Sequence, residues 1–221
     1  MENFLAPSIL AGNHASLIDA LNLVENDGRK WIHLDIMDGH FVPNLSFGPQ
    51  TVADLRKKSN LFFDVHLMLD NPQYFVDPFI EAGADLITIH IEPDIDHIDL
   101  INRIKTAGKK VGLALNPQTP IDDIIQIIEK TSLDLLLCMT VNPGFGGQSF
   151  IFDVLEKVKK LSQLRSENSY NFKIEVDGGV CPEHVEDCKN AGVNIFVAGT
   201  AYFKGNKIER DSFASSVGEV S

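Results

Sequence analysis

In the stretch Trp31–His40, a histidine and an aspartate alternate with aliphatic residues in a way that could build a buried site. His33, Asp35 and Met37 are spaced two apart, so on a β-strand they share one face, with Cα atoms about 6.6 Å apart. The opposite face is wholly aliphatic. If that face packs against a helix, the histidine and the carboxylate point into an interior, where unpartnered polar groups are costly. A bound metal ion would offset that cost.

Strand-like and helix-like segments alternate along the whole chain, and they decide whether other polar residues can join this site. The predicted strands are Phe4–Leu10, Trp31–Met37, Leu61–Leu69, Leu86–Ile91, Val111–Leu115, Leu133–Val141, Lys173–Val176 and Ile195–Ala198. The predicted helices are Ala15–Glu25, Thr51–Lys58, Pro72–Gly83 with a kink or break at Pro78, Ile95–Ala107, Pro120–Lys130, Phe150–Leu164, Pro182–Asn190 and Ile208–Val217.

This alternation indicates the α/β class with a parallel sheet covered by helices. Eight strand–helix units predict a (β/α)8 TIM barrel, and an open doubly wound sheet is the alternative on pattern alone. The chain has 221 residues, 44% of them hydrophobic and 23% charged, which fits one globular domain over residues 1–221.

Four polar residues fall near the carboxyl-terminal ends of predicted strands, where such a barrel places its chemistry. They are His33, Asp35, His66 and Asp177. The second and third strands are neighbours about 4.8 Å apart, and the seventh lies across the barrel, so the four side chains can converge. A lone histidine is more often a satisfied core residue, whereas four such groups indicate a site. The donor set suits one divalent metal, with zinc, iron(II), manganese and cobalt all acceptable.

Other residues near these strand ends have roles that the pattern leaves open. Met37, Met68 and Met139 either fill the core, as methionines usually do, or line the site. His90 and Glu92 repeat the histidine–acid spacing at the end of the fourth strand, and we expect a structural or supporting role for them.

Glycine-rich turns follow the sixth, seventh and eighth strands. They contain Gly144, Phe145, Gly146 and Gly147, then Gly178 and Gly179, then Gly199 and Thr200. Consecutive backbone N–H groups at glycines form nests for anions, and a helix that begins near Thr200 would add its positive end. Phosphate binding is a recurring use of this corner of a barrel. The sequence therefore predicts a metal ion beside two carboxylates, with a phosphate-binding site nearby. It also predicts that the loop after the sixth strand acts as a lid.

Charge and cysteine content exclude several classes of partner. The net charge is −12, which argues against nucleic acid because like charges repel. No apolar run reaches the roughly 20 residues of a membrane span. Cys138, Cys181 and Cys188 form neither a Cys-x-x-Cys motif nor a disulfide framework, so we predict a reducing cytoplasm.

Four motifs resemble the ribulose-phosphate 3-epimerase family, within a similarity that runs from Pro7 to Ala201. The motifs are His33–Asn44, Asp64–Met68, Met139–Gln148 and Glu175–Gly179. The resemblance implies a barrel of the ribulose-phosphate-binding type and an isomerase of the pentose phosphate pathway. Its phosphosugar substrates would be D-ribulose 5-phosphate and D-xylulose 5-phosphate, interconverted by epimerisation at C3. We also expect a homo-oligomer.

The resemblance implies roles for individual residues as well. One divalent metal ion, zinc in the first place, would be held by His33, Asp35, His66 and Asp177. Asp35 and Asp177 would be the acid–base pair on opposite faces of C3, and the metal would stabilise the enediolate. Substrate contacts are implied for Ser8, His66, Asp177, Gly144, Phe145, Gly146, Gly147, Gly178, Gly179, Gly199 and Thr200, with Met37, Met68 and Met139 lining the site. Thr200 departs from the commoner serine but keeps the hydroxyl.

Three other functions compete with this interpretation. An epimerase of a six-carbon sugar such as D-allulose 6-phosphate would use the same metal and acid–base residues, although unbroken Gly146–Gly147 and Gly178–Gly179 favour the pentose. A metal-free decarboxylase or synthase resembles an Asp-x-Lys-x-x-Asp pattern, which is absent because Met37 stands where the lysine would be. A non-catalytic sugar-binding protein would more naturally have lost a carboxylate.

Overall fold

Eight parallel strands form one sheet, and the rest of the chain is arranged around it. The structure is a computed structural model that describes residues 2–219, so Met1 and the last two residues of the predicted domain lie outside the described part. The strands are β1 (Phe4–Pro7), β2 (Trp31–Met37), β3 (Phe62–Met68), β4 (Leu86–His90), β5 (Lys110–Leu115), β6 (Leu135–Met139), β7 (Lys173–Asp177) and β8 (Ile195–Ala198).

Helices separate successive strands and follow the last one. Within residues 2–219 the α-helices are α1 (Leu17–Asn26), α2 (Pro49–Arg56), α3 (Val76–Glu81), α4 (His97–Thr106), α5 (Ile121–Ile128), α6 (Val154–Glu167), α7 (Val185–Ala191), α8 (Thr200–Phe203) and α9 (Lys207–Val217). Short 3-10 turns at Ile9–Ala11, Pro72–Tyr74 and Pro182–His184 precede α1, α3 and α7. No helix in this part of the chain is long and apolar enough to cross a membrane.

The sheet closes on itself, which confirms the predicted (β/α)8 TIM barrel. Its strand order is β1-β8-β7-β6-β5-β4-β3-β2, so each strand from β2 onward lies beside its successor in the chain. An isolated parallel bridge between Ser8 and His33 joins the two ends of the sheet. A doubly wound sheet would instead reverse its strand order partway across, so that alternative is wrong.

Apolar side chains form two layers, one on each side of the sheet. The larger layer lies between strands and helices and includes Ile32, Leu34 and Ile36, so the aliphatic face of β2 packs as the sequence predicts. A smaller apolar cluster that includes Trp31 lies inside the barrel. Because side chains alternate along a strand, the polar face of β2 points into the barrel interior.

Several element boundaries differ from the predicted ones. β1 ends at Pro7 rather than Leu10, because the chain turns into the 3-10 segment Ile9–Ala11 after the single bridge at Ser8. The predicted break at Pro78 is wrong: α3 begins at Val76, which places the proline in the first turn, where its missing N–H would have no helical partner anyway.

Two further boundaries affect the functional end of the barrel. β7 extends one residue beyond the prediction, to Asp177, so that carboxylate is fixed by strand pairing rather than carried on a loop. Helix α6 begins at Val154, not Phe150. The segment before it is instead hydrogen-bonded to the residue that follows β6, because the Ile151 N–H donates to the Thr140 carbonyl at 2.8 Å.

A buried ion pair ties α9 to the end of α1. Asp27 follows α1, and only 2% of its side chain is exposed. It accepts hydrogen bonds from Arg210 Nε at 2.5 Å and from the Tyr202 hydroxyl at 2.8 Å. Lys207 Nζ lies 3.5 Å from the same carboxylate but is 60% exposed.

We expect Arg210→Met to lower the free energy of unfolding by about 3–5 kcal/mol, because it removes the buried cation of a buried carboxylate and leaves only the exposed Lys207 near it. Lys207→Met removes an exposed partner of the same carboxylate and should cost about 1 kcal/mol or less. Urea denaturation of both variants measures the difference, and equal losses would contradict the importance assigned to the buried pair.

Candidate active site

Two neighbouring strands and one distant strand bring the four predicted ligands together. In the β2–β3 pairing, Asp35 lies opposite His66 and His33 lies opposite Asp64. Asp177 comes from β7, on the other side of the barrel interior. One ligand atom from each of His33, Asp35, His66 and Asp177 lies within 4.8 Å of all the others, so these residues could hold a metal ion.

The distances among these atoms fit a tetrahedral ion. His33 Nε2 lies 3.3 Å from Asp35 Oδ1 and 3.4 Å from His66 Nδ1. Asp177 Oδ2 is slightly farther away, at 3.9 Å from His33 Nε2 and 3.8 Å from His66 Nδ1. Ligands of a zinc ion with bonds of about 2.0–2.1 Å lie about 3.3–3.4 Å apart in a tetrahedron. Three of the four donor atoms, from His33, Asp35 and His66, therefore already have the spacing of zinc ligands.

Each imidazole also makes a hydrogen-bond contact through the ring nitrogen that faces away from the four ligand atoms. His33 Nδ1 lies 2.7 Å from Asp64 Oδ2, and His66 Nε2 lies 2.8 Å from His90 Nε2. Metal-binding histidines commonly make such a hydrogen bond, which orients the ring and selects the tautomer. This arrangement supports the metal-binding interpretation independently of the distances among the four ligands.

The protein's own groups push the pKa values of the two aspartates apart. Burial would raise the pKa of Asp35, but the charge of His33 and hydrogen bonds from His33 and His66 hold it well below its usual range. Burial and the charge of Asp35 raise the pKa of Asp177 to about 7. A pair with opposite shifts is a recurring sign of an acid and a base that work together.

The imidazoles and a deeper carboxylate shift as well. Burial lowers the pKa of His66 to about 4, which favours the neutral ring that a metal requires. Burial alone would also lower the pKa of His33, but the charges of Asp64 and Asp35 raise it well above its usual value. Burial and the charge of Asp64 raise the pKa of Glu175 well above its usual range. The interior therefore holds more carboxylates than its histidines can balance without a proton or a cation.

Asp35 and Asp177 line a cavity of about 460 Å³ at the carboxyl-terminal ends of the strands. The Ser8 hydroxyl also lines it and donates to Asp35 Oδ2 at 2.5 Å. His33 and His66 lie behind the carboxylates and have no exposed surface. The three methionines whose role the sequence left open all line the cavity: Met37, Met68 and Met139.

The predicted glycine turns surround the other end of this cavity. Its lining includes Gly144, Phe145, Gly146, Gly147, Gly178, Gly179, Gly199 and Thr200. The loops touch closely: a Cβ atom at Gly179, where φ is +66°, would lie 2.7 Å from the Phe150 backbone nitrogen. A Cβ at Gly146 would lie 3.9 Å from Thr200 Oγ1. Three separate loops therefore present their backbones to one small space.

The loop after β6 covers part of the mouth. Phe145 at its tip is 56% exposed. Asn44, from the loop after β2, donates its Nδ2 hydrogen to the Gly144 carbonyl at 2.7 Å. This contact ties the predicted lid to the opposite rim of the barrel.

Sequence reasoning missed Asp64 and Glu175, which lie two residues before His66 and Asp177 on the same strands. Glu175 Oε1 lies 3.3 Å from His33 Nδ1. The strand period of two residues could have identified both, because side chains spaced by two share a face. The contact between His90 and His66 was also missed, since it depends on the stagger between β3 and β4.

Comparison with known proteins finds relatives over most of the chain. The model of the ribulose-phosphate 3-epimerase family matches residues 4–203. A ribulose-phosphate 3-epimerase of Treponema pallidum is 44% identical over 201 residues, which are 91% of each chain. One from Bacillus subtilis is 44% identical over 90% of this chain and 91% of its own.

Solved structures with low identity share the fold. A 3-keto-L-gulonate-6-phosphate decarboxylase from Vibrio cholerae superposes with a TM-score of 0.72 at 17% identity, over 99% of this chain and 97% of its own. A 3-hexulose-6-phosphate synthase from Salmonella typhimurium gives a TM-score of 0.71 at 17% identity, over 97% and 96%. These barrels establish the architecture alone. The family match and the similarity to whole relatives go further, and they show that this chain belongs to the ribulose-phosphate 3-epimerase family.

Proposed function

We propose that this protein is an isomerase that interconverts D-ribulose 5-phosphate and D-xylulose 5-phosphate by moving a proton at C3. The observation that carries the proposal is the pair Asp35 and Asp177, which reach one point from β2 and β7. Epimerisation needs a proton removed from one face of a carbon and returned to the other. Two carboxylates on opposite walls of one cavity meet that need, and family membership supplies the substrate class.

We infer that one divalent metal ion, zinc in the first place and iron(II), manganese or cobalt as alternatives, is held by His33, Asp35, His66 and Asp177. The distances among their donor atoms support this assignment. When bound, the ion would stabilise the negative charge that develops on substrate oxygens as the C3 proton leaves. The protein's contribution is to fix both imidazoles from behind, through Asp64 and His90.

Asp35 and Asp177 exchange roles with the direction of the reaction. In one direction Asp35 accepts the proton from C3 and Asp177 donates one to the opposite face; in the reverse direction Asp177 accepts and Asp35 donates. The Ser8 hydroxyl holds Asp35 Oδ2, which limits rotation of that carboxylate, and it is positioned to contact the substrate. Met37, Met68 and Met139 line the cavity and give it an apolar wall beside the carboxylates.

We assign the phosphate of the substrate to the glycine loops after β6, β7 and β8. Backbone N–H groups at Gly146–Gly147, Gly178–Gly179 and Gly199 would supply the donors, together with the Thr200 hydroxyl. All these residues line the same cavity as Asp35 and Asp177. A net charge of −12 gives no general attraction for an anion, so these local donors must provide the affinity. Action in the cytoplasm and assembly into a homo-oligomer stay predictions.

Asp177→Asn should lower kcat by about 10²–10⁴-fold, the usual contribution of a general acid or base. The surviving Asp35 should still exchange the C3 hydrogen of one substrate epimer with D2O, without inverting it. Mass spectrometry of both sugars measures this asymmetry, with the surface variant Asp153→Asn as a control. Near-normal turnover, or equal exchange of both epimers, would remove Asp177 from the proton-transfer role.

Chelation should abolish activity, and a divalent metal should restore it. Elemental analysis of the purified protein, paired with activity before dialysis against a chelator and after adding back zinc, iron(II), manganese or cobalt, tests this. Full activity in protein stripped of metal would show that the metal assignment is wrong while leaving the two aspartates as candidates.

The length of the sugar can be tested by direct comparison. We expect kcat/KM on D-ribulose 5-phosphate to exceed that on D-allulose 6-phosphate by about 10-fold or more, because an additional carbon must fit between the carboxylates and the glycine loops. A clear preference for the six-carbon sugar would assign the protein to that reaction instead.

A further inference from the structure

His66 lies between the proposed metal position and a second buried histidine. Its Nδ1 faces Asp35 Oδ1 at 3.4 Å and Asp177 Oδ2 at 3.8 Å. Its Nε2 lies 2.8 Å from His90 Nε2, and the two rings are only 23° from parallel. Both histidines have no exposed surface, so solvent does not reach this contact.

Two imidazole nitrogens at 2.8 Å share one hydrogen, because a second hydrogen would collide with the first. The hydrogen bond that His90 makes through its other ring nitrogen, Nδ1, determines which of the two rings donates. His90 Nδ1 lies 2.8 Å from Glu92 Oε2, and an ionised carboxylate can only accept. A neutral His90 that donates from Nδ1 has a lone pair on Nε2. His66 must then carry its hydrogen on Nε2, which leaves the lone pair of Nδ1 facing the proposed metal.

Glu92 is itself held in place by the loop after β5. Its Oε1 accepts hydrogen bonds from the Asn116 backbone N–H at 2.7 Å and from the Thr119 hydroxyl at 2.5 Å. Burial would raise the pKa of Glu92, but the hydrogen bonds from His90, Thr119 and Asn116 lower it to about 2. Glu92 is therefore a fixed, ionised acceptor for His90.

Lys157 anchors the same loop from the outer ring of helices. Its Nζ, on α6, donates to the carbonyls of Asn116 at 3.1 Å, Pro117 at 2.5 Å and Thr119 at 2.6 Å. The ring of Phe41 packs against His90, with centroids 4.6 Å apart. A continuous set of contacts thus runs from α6 through this loop and Glu92 to the imidazole of His90.

We propose that His90 and Glu92 are positioning residues that keep the hydrogen of His66 on Nε2, so that Nδ1 is free to bind a divalent metal ion. This inference rests on the proposed metal site, but the tautomer of His66 is a property of the protein that can be measured separately. It gives the second histidine–acid pair of the sequence a function that its spacing alone did not reveal.

The tautomer can be read directly in the metal-free protein labelled with 15N. Two-bond 1H–15N correlation spectra distinguish a ring nitrogen that carries hydrogen from one that carries a lone pair. We expect His66 to show the lone pair on Nδ1, and His66→Gln identifies the signals by their loss. A spectrum with the hydrogen on Nδ1, as a doubly protonated His90 donating to His66 would give, would overturn the proposal.

Metal affinity supplies a second, independent readout. His90→Leu removes the acceptor for His66 Nε2 and should weaken Zn2+ binding by about 10–100-fold. His90→Gln places an amide oxygen near the same point and should restore most of the affinity. Competition with a chromophoric chelator measures the Kd. Thr88→Val, on the same strand and equally buried, is the matched control and should bind Zn2+ as the wild type does.

The two variants separate positioning from general damage to the fold. If His90→Leu binds Zn2+ as tightly as the wild type, or if both His90 variants lose affinity equally, the positioning role is wrong. Should His90→Leu not fold, Glu92→Leu tests the same contact one step farther out and should shift the His66 tautomer. A wild-type protein that binds no divalent metal would overturn the metal site itself, while the NMR result would still report the tautomer.

Discussion

The cost of burying charge inside a closed barrel governs the site. Asp35, Asp64 and Glu175 are buried beside the imidazoles of His33 and His66, and the Asp177 side chain is only 14% exposed. Carboxylates packed this closely must be balanced by protons or by a cation. The opposite pKa shifts of the two proposed acid–base residues follow from this constraint. The same excess of carboxylate that would destabilise an empty core makes the position favourable for a divalent metal.

The buried carboxylates of the site lie apart from the ion pair that stabilises the packing of the outer helices. The Asp27–Arg210 pair is fully hydrogen-bonded and joins α1 to α9. At the mouth, by contrast, strand register fixes the positions of the carboxylates. The loops after β6, β7 and β8 present glycine N–H groups to the proposed phosphate-binding site. The similar barrels of a decarboxylase and a synthase show that the architecture admits other chemistry. The choice of reaction therefore depends on the side chains inside the barrel.

Much of this arrangement was predictable because it depends on short-range periodicity. Alternation on β2 placed His33 and Asp35 on one face, and the number of strand–helix units indicated closure. The convergence of Asp177 with them followed from closure alone. What periodicity could not supply was the stagger between neighbouring strands, which sets the contact between His66 and His90. The predicted end of β1 at Leu10 and the predicted break at Pro78 were wrong, because tertiary pairing and position within a helical turn, rather than local propensity, decide them.

We propose that one cation lies among four side chains from three strands and balances the carboxylates between which the sugar binds. The position of this cation can be measured in crystals of the zinc-loaded protein with data collected at the zinc absorption edge. We predict a single anomalous peak about 2.0–2.2 Å from His33 Nε2, His66 Nδ1 and an oxygen of each aspartate. A peak elsewhere, or no peak in crystals of fully active protein, would show that these four side chains do not hold the cation.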